Sequence, residues 1–472
     1  MSNKNYEYYL NSFKGRLPLG ECFDLVDRSI NIGGHKGHIF FIDGLTDGDQ
    51  LQRILTFVMS IGETEMNEIK TSQDFIEKKF PFLDCETTGD ISLAIKQLYS
   101  GLIPILIDGF DKIILADTRQ YPTRGVEEPE KEKSLRGAKD GFTETFMANV
   151  ALIRRRLRDD RLIFKNYVIG NKTKTDVAIA YMKGIADDNL VERVIKALEN
   201  LTTEDLTVGD QSLVEKLLRS DSGGKYWGGF NPFPRVRYTQ RPDIVSAHVS
   251  EGKLALIIDN TPTVVLLPVG IFDFLQDVDD YYFPISTGNY LRLLRTFNGL
   301  VILLFSPIYL LIVEGYIPAP MNMDFMIPTV PYAIPIFWQF ILLEIAVDGL
   351  KLASLNTPES LGMSLSVIGA LILGQFSIDS GWFIPQTILV MAVVALASFT
   401  QPSIELSFGV KFMRMLLLIA SMIFGWIGLV VGFIIVIFIT ASTKTIVGYS
   451  YLYPLYPFKW AVLKKLIWRT SK

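Results

Sequence analysis

The chain has 472 residues and a formal net charge of -4, a length that allows two or three domains and a charge that gives no reason to expect nucleic-acid binding. With 49% hydrophobic residues and a mean hydropathy of +0.28, its composition excludes an ordinary soluble enzyme. Charged residues are concentrated before about Arg295 and long apolar runs follow, so the sequence indicates a soluble half and then a membrane half.

The soluble half is expected to stay in the cytoplasm. Its first residues contain neither the apolar core nor the small-residue cleavage site that is typical of a signal peptide. Cys22 and Cys85 are the only cysteines, which fits a reducing compartment and argues against a disulfide scaffold.

The first soluble subdomain is predicted over residues 1–122. Residues 39–45 and 103–117 are apolar runs with Asp-Gly turns, which is typical of strands, and residues 51–62 have the spacing of a helix. Residues 123–136 are charged and have almost nothing to bury, so they form the predicted linker.

The second soluble subdomain is predicted over residues 137–290. Its first helix is predicted to begin at a capping Asp140, because four apolar residues recur at helical spacing after it. These apolar residues are Phe142, Phe146, Val150 and Ile153. The later predicted elements are strands at residues 166–170 and 177–186, a helix at 191–201 and a hairpin at 253–268 that turns at Asn260.

Arg154 and Arg158 lie in the basic run of that first helix. We expect both to face outward, toward an acidic neighbour in an assembly or toward lipid phosphates. The solvated face of an amphipathic helix explains the run about as well. The fold class predicted for the whole chain is two small mixed α/β cytoplasmic subdomains followed by an α-helical polytopic membrane domain.

The membrane domain is predicted over residues 291–443, with a C-terminal tail at 444–472. Several apolar runs are long enough, or nearly so, to cross the roughly 30 Å hydrocarbon core. They are residues 296–317, residues 361–378 and 382–399 joined by a tight turn, and residues 411–443, which form either one tilted helix or a hairpin bent near Gly425, Gly428 and Gly432. Basic residues before the first span and in the tail slightly favour a cytoplasmic tail, hence an even number of spans and the hairpin.

Residues 361–375 hold two stripes at helical spacing. The first contains small residues that let another helix approach closely, namely Gly362, Ser366, Ala370 and Gly374. The second is polar at both ends and aliphatic in the middle, namely Ser364, Ile368, Leu371 and Gln375. That second stripe predicts either a pore lining, which closes by dewetting at the aliphatic level, or simple packing inside a bundle.

Polar residues also interrupt the apolar run at residues 335–352. Gln339, Glu344 and Asp348 are five and four residues apart, which places the two carboxylates on one helical face. Ionisable groups at membrane depth are costly and usually turn toward water, partners or transported ions. The three residues are therefore candidates for ion selectivity. No set of nucleophile, base and orienting group is evident, so we expect no catalytic site, cofactor or metal.

The sequence resembles the GerA family of spore germinant receptor A subunits. The resemblance is carried by GAKDGFTETFMANVALIRRRLRD, RVRYTQRPD, EGKLALIIDNTPTVVLLP, SVIGALILGQ and PSIELSFGVKFMR, in the family's order over nearly the whole chain. Gln339 stands where receptor A subunits more often have an acidic residue, and this departure leaves open whether the cation-attracting chemistry of the receptor subunits is retained.

The resemblance implies an integral protein of the inner spore membrane that forms homo-oligomers, expected to be pentamers, in contact with membrane lipid and other germination membrane proteins. It favours a pore lining over packing at residues 361–375, and therefore a channel subunit that acts in spore germination. The alternative is a non-conducting scaffold that couples germinant receptors to the dipicolinic acid release system. A transporter for a small anion ranks last, because carboxylates rather than basic residues interrupt the apolar run.

Overall fold

The computed structural model describes residues 3–80, 84–120, 132, 137–201, 209–221, 231–277, 279–319, 324–329, 331–356, 369, 371–443, 445–446, 450–460, 463–464 and 468. The chain divides into two compact units. Residues 1–226 and 236–268 form the first, and residues 227–235 and 269–472 form the second, which we call the helical unit.

The strands of the described residues all lie in the first unit. In chain order they are β1 (Leu25–Ile32), β2 (His35–Ile42), β3 (Cys85–Thr88), β4 (Leu102–Ile107), β5 (Ile113–Asp117), β6 (Leu162–Ile169), β7 (Thr175–Met182), β8 (Arg237–Thr239), β9 (Leu254–Ile258) and β10 (Val264–Leu267).

Helices occur in both units. Those of the first unit are α1 (Asn3–Arg16), α2 (Gly48–Ser60), α3 (Glu63–Asn67), α4 (Ser72–Lys79), α5 (Ile91–Leu98), α6 (Phe146–Arg156), α7 (Asp188–Glu199), α8 (Gly209–Asp221) and α9 (Pro242–Ser250). Those of the helical unit are α10 (Ile271–Leu275), α11 (Asp279–Tyr282), α12 (Ile285–Val313), α13 (Ile336–Asn356), α14 (Ser377–Asp379), α15 (Pro385–Phe399) and α16 (Ile404–Ser442). A 3-10 turn (Asp324–Met326) precedes α13, and a π-helical turn (Ile372–Phe376) leads into α14.

The first unit contains two five-stranded antiparallel sheets with the same strand order, β1-β2-β4-β5-β3 and β6-β7-β9-β10-β8. The helix after the second strand of each sheet begins behind an aspartate cap, Asp47 before α2 and Asp187 before α7. Strands β4, β9 and β10 are buried along their whole length, which explains why they appear in the sequence as continuous apolar runs. The predicted pair of mixed α/β subdomains is confirmed.

The predicted hairpin at residues 253–268 is also confirmed. Strands β9 and β10 are antiparallel partners, and Asn260 between them has a φ of 61°. Asparagine tolerates this left-handed conformation better than most residues, because its short side chain bonds locally. Its amide donates to the carboxylate of Asp259 at 3.0 Å.

The helix predicted to begin at Asp140 begins later. Thr145 precedes the first turn of α6, and Asp140 instead pairs with Arg156 at the end of that helix. Phe142 is buried, as the sequence suggested. It lies in an irregular segment before the helix, where its own backbone N–H donates to the carbonyl of Gln240 at 2.8 Å. The helical periodicity therefore predicted the buried residues correctly. Phe142, however, is buried about one turn before α6 begins, in a segment that is not helical.

Arg154 joins the two subdomains of the first unit. Its side chain is 0% exposed, and its Nε and Nη2 donate to the carboxylate of Asp24 at 2.9 to 3.1 Å. Nη1 donates to the carbonyl of Leu162 at 2.9 Å. The guanidinium also lies over the rings of Tyr99 and Phe164, with its carbon 5.1 and 4.8 Å from the two ring centres.

The expectation that Arg154 faces outward is therefore wrong. Helical spacing places this residue on the polar side of α6, but that side packs against the first subdomain, where Asp24 supplies the countercharge. A buried carboxylate that keeps its charge needs such a partner. Arg158 is exposed, and its Nε donates to the carbonyl of Arg155 at 3.2 Å; a contact with lipid or an assembly partner stays a prediction for this residue alone.

The helical unit begins earlier than the predicted boundary at residue 290. It includes everything from Val269 onward, and α12 already begins at Ile285. The reason is the buried Asp280, whose carboxylate accepts from Arg292 Nε at 3.2 Å and Arg295 Nη1 at 2.8 Å. These ion pairs tie α11 to α12, so the residues before the apolar run belong to the same unit.

Helix α16 is a hairpin rather than one tilted helix. Gly425 breaks it with φ 61° and ψ -141°, a conformation that glycine adopts without strain. Gly428 packs against the first arm, since an added Cβ would lie 1.9 Å from the carbonyl oxygen of Ala420. The Asn231 side-chain amide donates to the hydroxyl of Thr443, just after the second arm, at 2.7 Å. The carbonyl oxygen of the neighbouring Pro232 lies 3.0 Å from the position that a Cβ on Gly409, in the first arm, would take. The two ends of α16 therefore meet, although a straight helix of 39 residues would be about 58 Å long.

Two helices of the described residues are long and apolar enough to cross a membrane, Ile285–Val313 and Ile404–Ser442. Each arm of the second has roughly the 20 residues that one span needs. Pro385–Phe399 is a shorter apolar helix. The predicted helical region after the soluble subdomains is confirmed.

We expect Arg154→Gln to open the junction between the two subdomains, because it leaves Asp24 buried without a countercharge at a cost of about 3 kcal/mol. Hydrogen exchange followed by mass spectrometry should then show about 100-fold less protection at residues 22–25, where the Phe23 amide donates to the Phe164 carbonyl. Arg158→Gln is the matched control and should change protection less than about twofold. Equal effects of the two substitutions would contradict the junction.

Candidate functional site in the helical unit

Helix α13 carries the three polar residues that the sequence singled out. Gln339 is 0% exposed and lies in the first turn of the helix. Its Nε2 donates to the Ile334 carbonyl at 2.8 Å. Its Oε1 accepts from the Ile384 backbone N–H at 3.1 Å and from the Thr387 hydroxyl at 2.8 Å.

Gln339 therefore has a structural role within the chain, and a role in ion selectivity stays a prediction. Ile384 and Thr387 lie at the start of α15, so the Gln339 side chain accepts from the backbone N–H at the cap of that helix and from a hydroxyl in its first turn. The two bonds that Oε1 accepts use both of its lone pairs, so they already occupy the oxygen that a cation would bind.

Glu344 lies inside the helix bundle, with 3% of its surface exposed. Its carboxylate forms an ion pair with Arg414 of α16, and its second oxygen lies 3.4 Å from Lys411 Nζ. Arg414 is equally buried and also donates from Nη1 to the carbonyl of Ile302 in α12 at 3.1 Å. One ion pair thus links three helices.

The pair lies far from both ends of its helices. Arg414 is about 15 Å along α16 from its first residue, which corresponds to the middle of one arm. Charges taken out of water at such a depth lose several kcal/mol of solvation each, and only close pairing with further hydrogen bonds offsets that loss. The contacts of Glu344 and Arg414 supply that pairing within one chain.

The prediction that Glu344 faces an aqueous path is contradicted by this burial. Membrane depth and a shared face with Asp348 suggested an ion path, but the same features fit an internal ion pair equally well. The missing information was the partner, since Arg414 is 70 residues away in the chain.

Asp348 forms a second ion pair one turn further along α13. Its carboxylate pairs with Lys411 and remains partly exposed. Lys351 lies nearby in α13 with its ammonium 5.2 Å from the ring centre of Phe399. A role of Asp348 in ion selectivity stays a prediction.

The partners Lys411 and Arg414 are not among the candidate residues that the sequence singled out. A signal for their role was present, however. Two acidic residues four apart on one apolar helix and two basic residues three apart on another give balanced charges at matched helical spacing. Such a balance is the pattern expected of paired helices within a membrane domain.

The segment with the predicted pore stripe is described at residues 369 and 371–379. Gly369 is buried against α13, where an added Cβ would lie 2.6 Å from Cδ2 of Leu350. Leu371 is 45% exposed and Gln375 is also exposed. Leu371 is two residues from Gly369, and residues two apart on a helix point in nearly opposite directions, so the Leu371 side chain points away from α13; Gln375 lies one turn further along the segment.

Gly374 belongs to the predicted small-residue stripe, and an added Cβ there would meet no atom within 4 Å. The π-helical turn at Ile372–Phe376 coincides with this position, and such turns are frequent at functional sites. The other members of the two stripes lie outside the described residues: Gly362, Ser364, Ser366, Ile368 and Ala370.

Within the described part of the chain, no group of three or more His, Cys, Asp or Glu side chains could hold a metal ion. The site consists of two ion pairs formed within one chain, Glu344 with Arg414 and Asp348 with Lys411, and a helical segment whose Leu371 and Gln375 side chains are exposed among the described residues. Together with the paired sheets and the candidate spans, this defines a membrane protein with a helical unit and a double α/β soluble part.

The chain belongs to the Bacillus/Clostridium GerA spore germination protein family, whose sequence model matches residues 14–472. It is 34% identical to stage V sporulation protein AF of Bacillus subtilis (strain 168), over 99% of this chain and 92% of that protein. It is 28% identical to spore germination protein KA of the same organism, over 97% of this chain and 84% of that protein.

One solved structure is also similar, the crystal structure of the N-terminal domain of the A subunit of the Bacillus megaterium spore germinant receptor GerK3. It is 25% identical, covers 55% of this chain and 92% of that domain, and has a TM-score of 0.39. The family predicted from the sequence is confirmed, and membership supports a role in spore germination.

We expect Glu344→Gln to destabilise the helical unit instead of altering ion preference. The amide leaves Arg414 buried without its countercharge, which costs about 3 kcal/mol. The midpoint of thermal unfolding in detergent should fall by several degrees. Asp348→Asn, at the more exposed pair, is the matched control and should lower it much less. Unchanged stability together with a changed reversal potential for Glu344→Gln would contradict the structural role.

Proposed function

We propose that this protein is a membrane-embedded subunit of an oligomeric ion channel that acts in spore germination. It forms a homo-pentamer in the inner spore membrane, in contact with lipid and other germination membrane proteins, and its α/β subdomains lie on the cytoplasmic, core side. Residues 361–375 line the pore.

The observation that carries this proposal is the exposure of Leu371 and Gln375. Gly369 packs against α13 of the same chain, whereas the side chains of Leu371 and Gln375 are exposed among the described residues. An aliphatic and a polar side chain on one uncovered stripe suit a pore wall better than a lipid contact, because an amide facing hydrocarbon is costly.

Gly374 supports an assembly of several copies. A helix with a small residue and free space above it can be approached closely by a neighbouring helix. In a ring of identical subunits every copy would present the same stripe to the axis, and Gly374 would lie near the neighbouring copy.

The orientation is supported by the two ends of the helical unit. The backbone N–H of Ile271, before α12, donates to the carbonyl of Tyr451, after α16, at 3.0 Å. The beginning and the end of the helical unit would therefore lie on the same side of the membrane, which is the arrangement that an even number of spans gives. Basic residues in the tail favour the cytoplasmic side for that end.

Ion selectivity in this channel does not depend on Glu344, because its carboxylate is neutralised by Arg414 within the subunit. The pore wall in this proposal consists of neutral side chains, with polar groups at Ser364 and Gln375 and an aliphatic level at Ile368 and Leu371. A narrow aliphatic level closes a pore by excluding water, so gating would be a change in the width of the ring.

The full chain, purified and reconstituted into liposomes, should pass ions, and Leu371→Ser should raise the resting flux on the order of tenfold. A hydroxyl repeated around the ring lets the constriction wet, and a loss of ~1.4 kcal/mol from the barrier corresponds to tenfold. Potassium efflux read with a fluorescent indicator measures this.

Leu396→Ser in α15 is the matched control, because Leu396 is 66% exposed in the structure and has no place in the proposed pore. It should leave the flux unchanged. Assembly into rings without flux in the parent and in Leu371→Ser would contradict the channel and favour the non-conducting scaffold that couples germinant receptors to the dipicolinic acid release system.

A further inference from the structure

The chain after α16 ends in an exposed surface of aromatic and basic side chains, which we call the tail surface. Its described members are Tyr453, Tyr456, Phe458, Lys459, Trp460, Lys464 and Trp468, all of them exposed. Its two charged members are both lysines, and no Asp or Glu follows Glu405 in the sequence. The tail surface is therefore uniformly positive and rich in large aromatic rings.

The tail surface is held against the helical unit at its beginning. Tyr451 is fully buried, with its ring 5.9 Å from that of Phe233 and 6.4 Å from that of Phe274. The approach is close, since a Cβ on Gly270 would lie 2.9 Å from the Tyr451 carbonyl oxygen. This anchor fixes where the exposed residues begin, so they are a part of the folded unit.

The later tail residues have helical turns. The Leu463 N–H donates to the Lys459 carbonyl at 3.0 Å, and the Trp468 N–H donates to the Lys464 carbonyl at 2.8 Å. A spacing of four brings Trp460, Lys464 and Trp468 toward one side, while Leu463 is buried. Tryptophan and lysine thus alternate along one exposed face.

We propose that the tail surface lies on the anionic headgroups of the membrane, with its aromatic rings at the level of the interface and its lysines on lipid phosphates. Trp and Tyr are enriched at this level, because their rings are apolar at one end and polar at the other. Clusters of Lys and Arg directly after a span bind anionic lipid by charge. The tail surface combines both, and it begins eleven residues after the last residue of a candidate span, Ser442.

An acidic protein segment could form ion pairs with the lysines of the tail surface, but it would not account for the exposed aromatic rings. Its continuity with α16, whose last residue is Ser442, keeps the tail surface near the end of the membrane span. This inference requires that α16 crosses a membrane but is independent of ion conduction, so a failure of the channel proposal leaves it intact.

The test uses the full chain with a fluorescent label at Leu455→Cys, in nanodiscs of phosphatidylcholine alone or mixed with phosphatidylglycerol. The native thiols interfere little at neutral pH, because burial raises the pKa of Cys22 to about 11 and that of Cys85 to about 12. An environment-sensitive dye reports water exposure, and spin-labelled lipid quenches it only near the membrane.

We expect quenching by lipid, stronger with phosphatidylglycerol, and its release by added salt. In the pair Lys459→Gln with Lys464→Gln, the ratio of docked to free tail should fall on the order of 20-fold, since one lysine near an anionic surface contributes about fivefold. The pair Lys459→Arg with Lys464→Arg is the control that keeps the charge and should retain docking.

A label that stays water-exposed in both lipids would overturn the proposal. So would a label that is already shielded in detergent without lipid, which would identify a protein partner or a second copy instead. If the glutamine pair does not fold, the salt titration of the parent decides, and quenching that does not change with salt contradicts binding to anionic headgroups.

Discussion

The helical unit depends on one buried charge pair, Glu344 with Arg414. Neither residue can leave its partner without exposing a full charge to an apolar surrounding, where the penalty amounts to several kcal/mol. Because Arg414 also binds the carbonyl of Ile302, the pair fixes α12, α13 and the first arm of α16 relative to each other. The second pair, Asp348 with Lys411, repeats the arrangement one turn away.

In the proposed channel, this constraint separates the structural part of the helical unit from the segment proposed to line the ion path. The charges described in α13 and the first arm of α16 are engaged inside one subunit, so they can hold the bundle rigid while another segment moves. The segment around Leu371 and Gln375 has different properties, because it is neutral, uncovered and interrupted by a π-helical turn. Rigid helices around a locally irregular segment are a sound arrangement for gating.

Sequence patterns predicted the fold well wherever local rules decide it. Continuous apolar runs identified β4, β9 and β10, aspartate and glycine marked the turns, and the glycines of α16 indicated the hairpin that Gly425 makes. Two of the failures, at Arg154 and Glu344, share one cause. Arg154 and Glu344 were assigned to exposed or aqueous faces by helical spacing, and each has a countercharge, Asp24 or Arg414, that is 130 or 70 residues away. Periodicity shows which face is polar but not what covers it.

A double-mutant cycle on Glu344 and Arg414 tests the central claim most directly. Either single change to Gln should lower the stability of the purified chain strongly, whereas Glu344→Gln combined with Arg414→Gln removes both charges and should recover most of the loss. The measured coupling free energy should be about 2 kcal/mol, from denaturation followed in one detergent. Additive losses, with no coupling between the two positions, would contradict the claim that this pair holds the helical unit together.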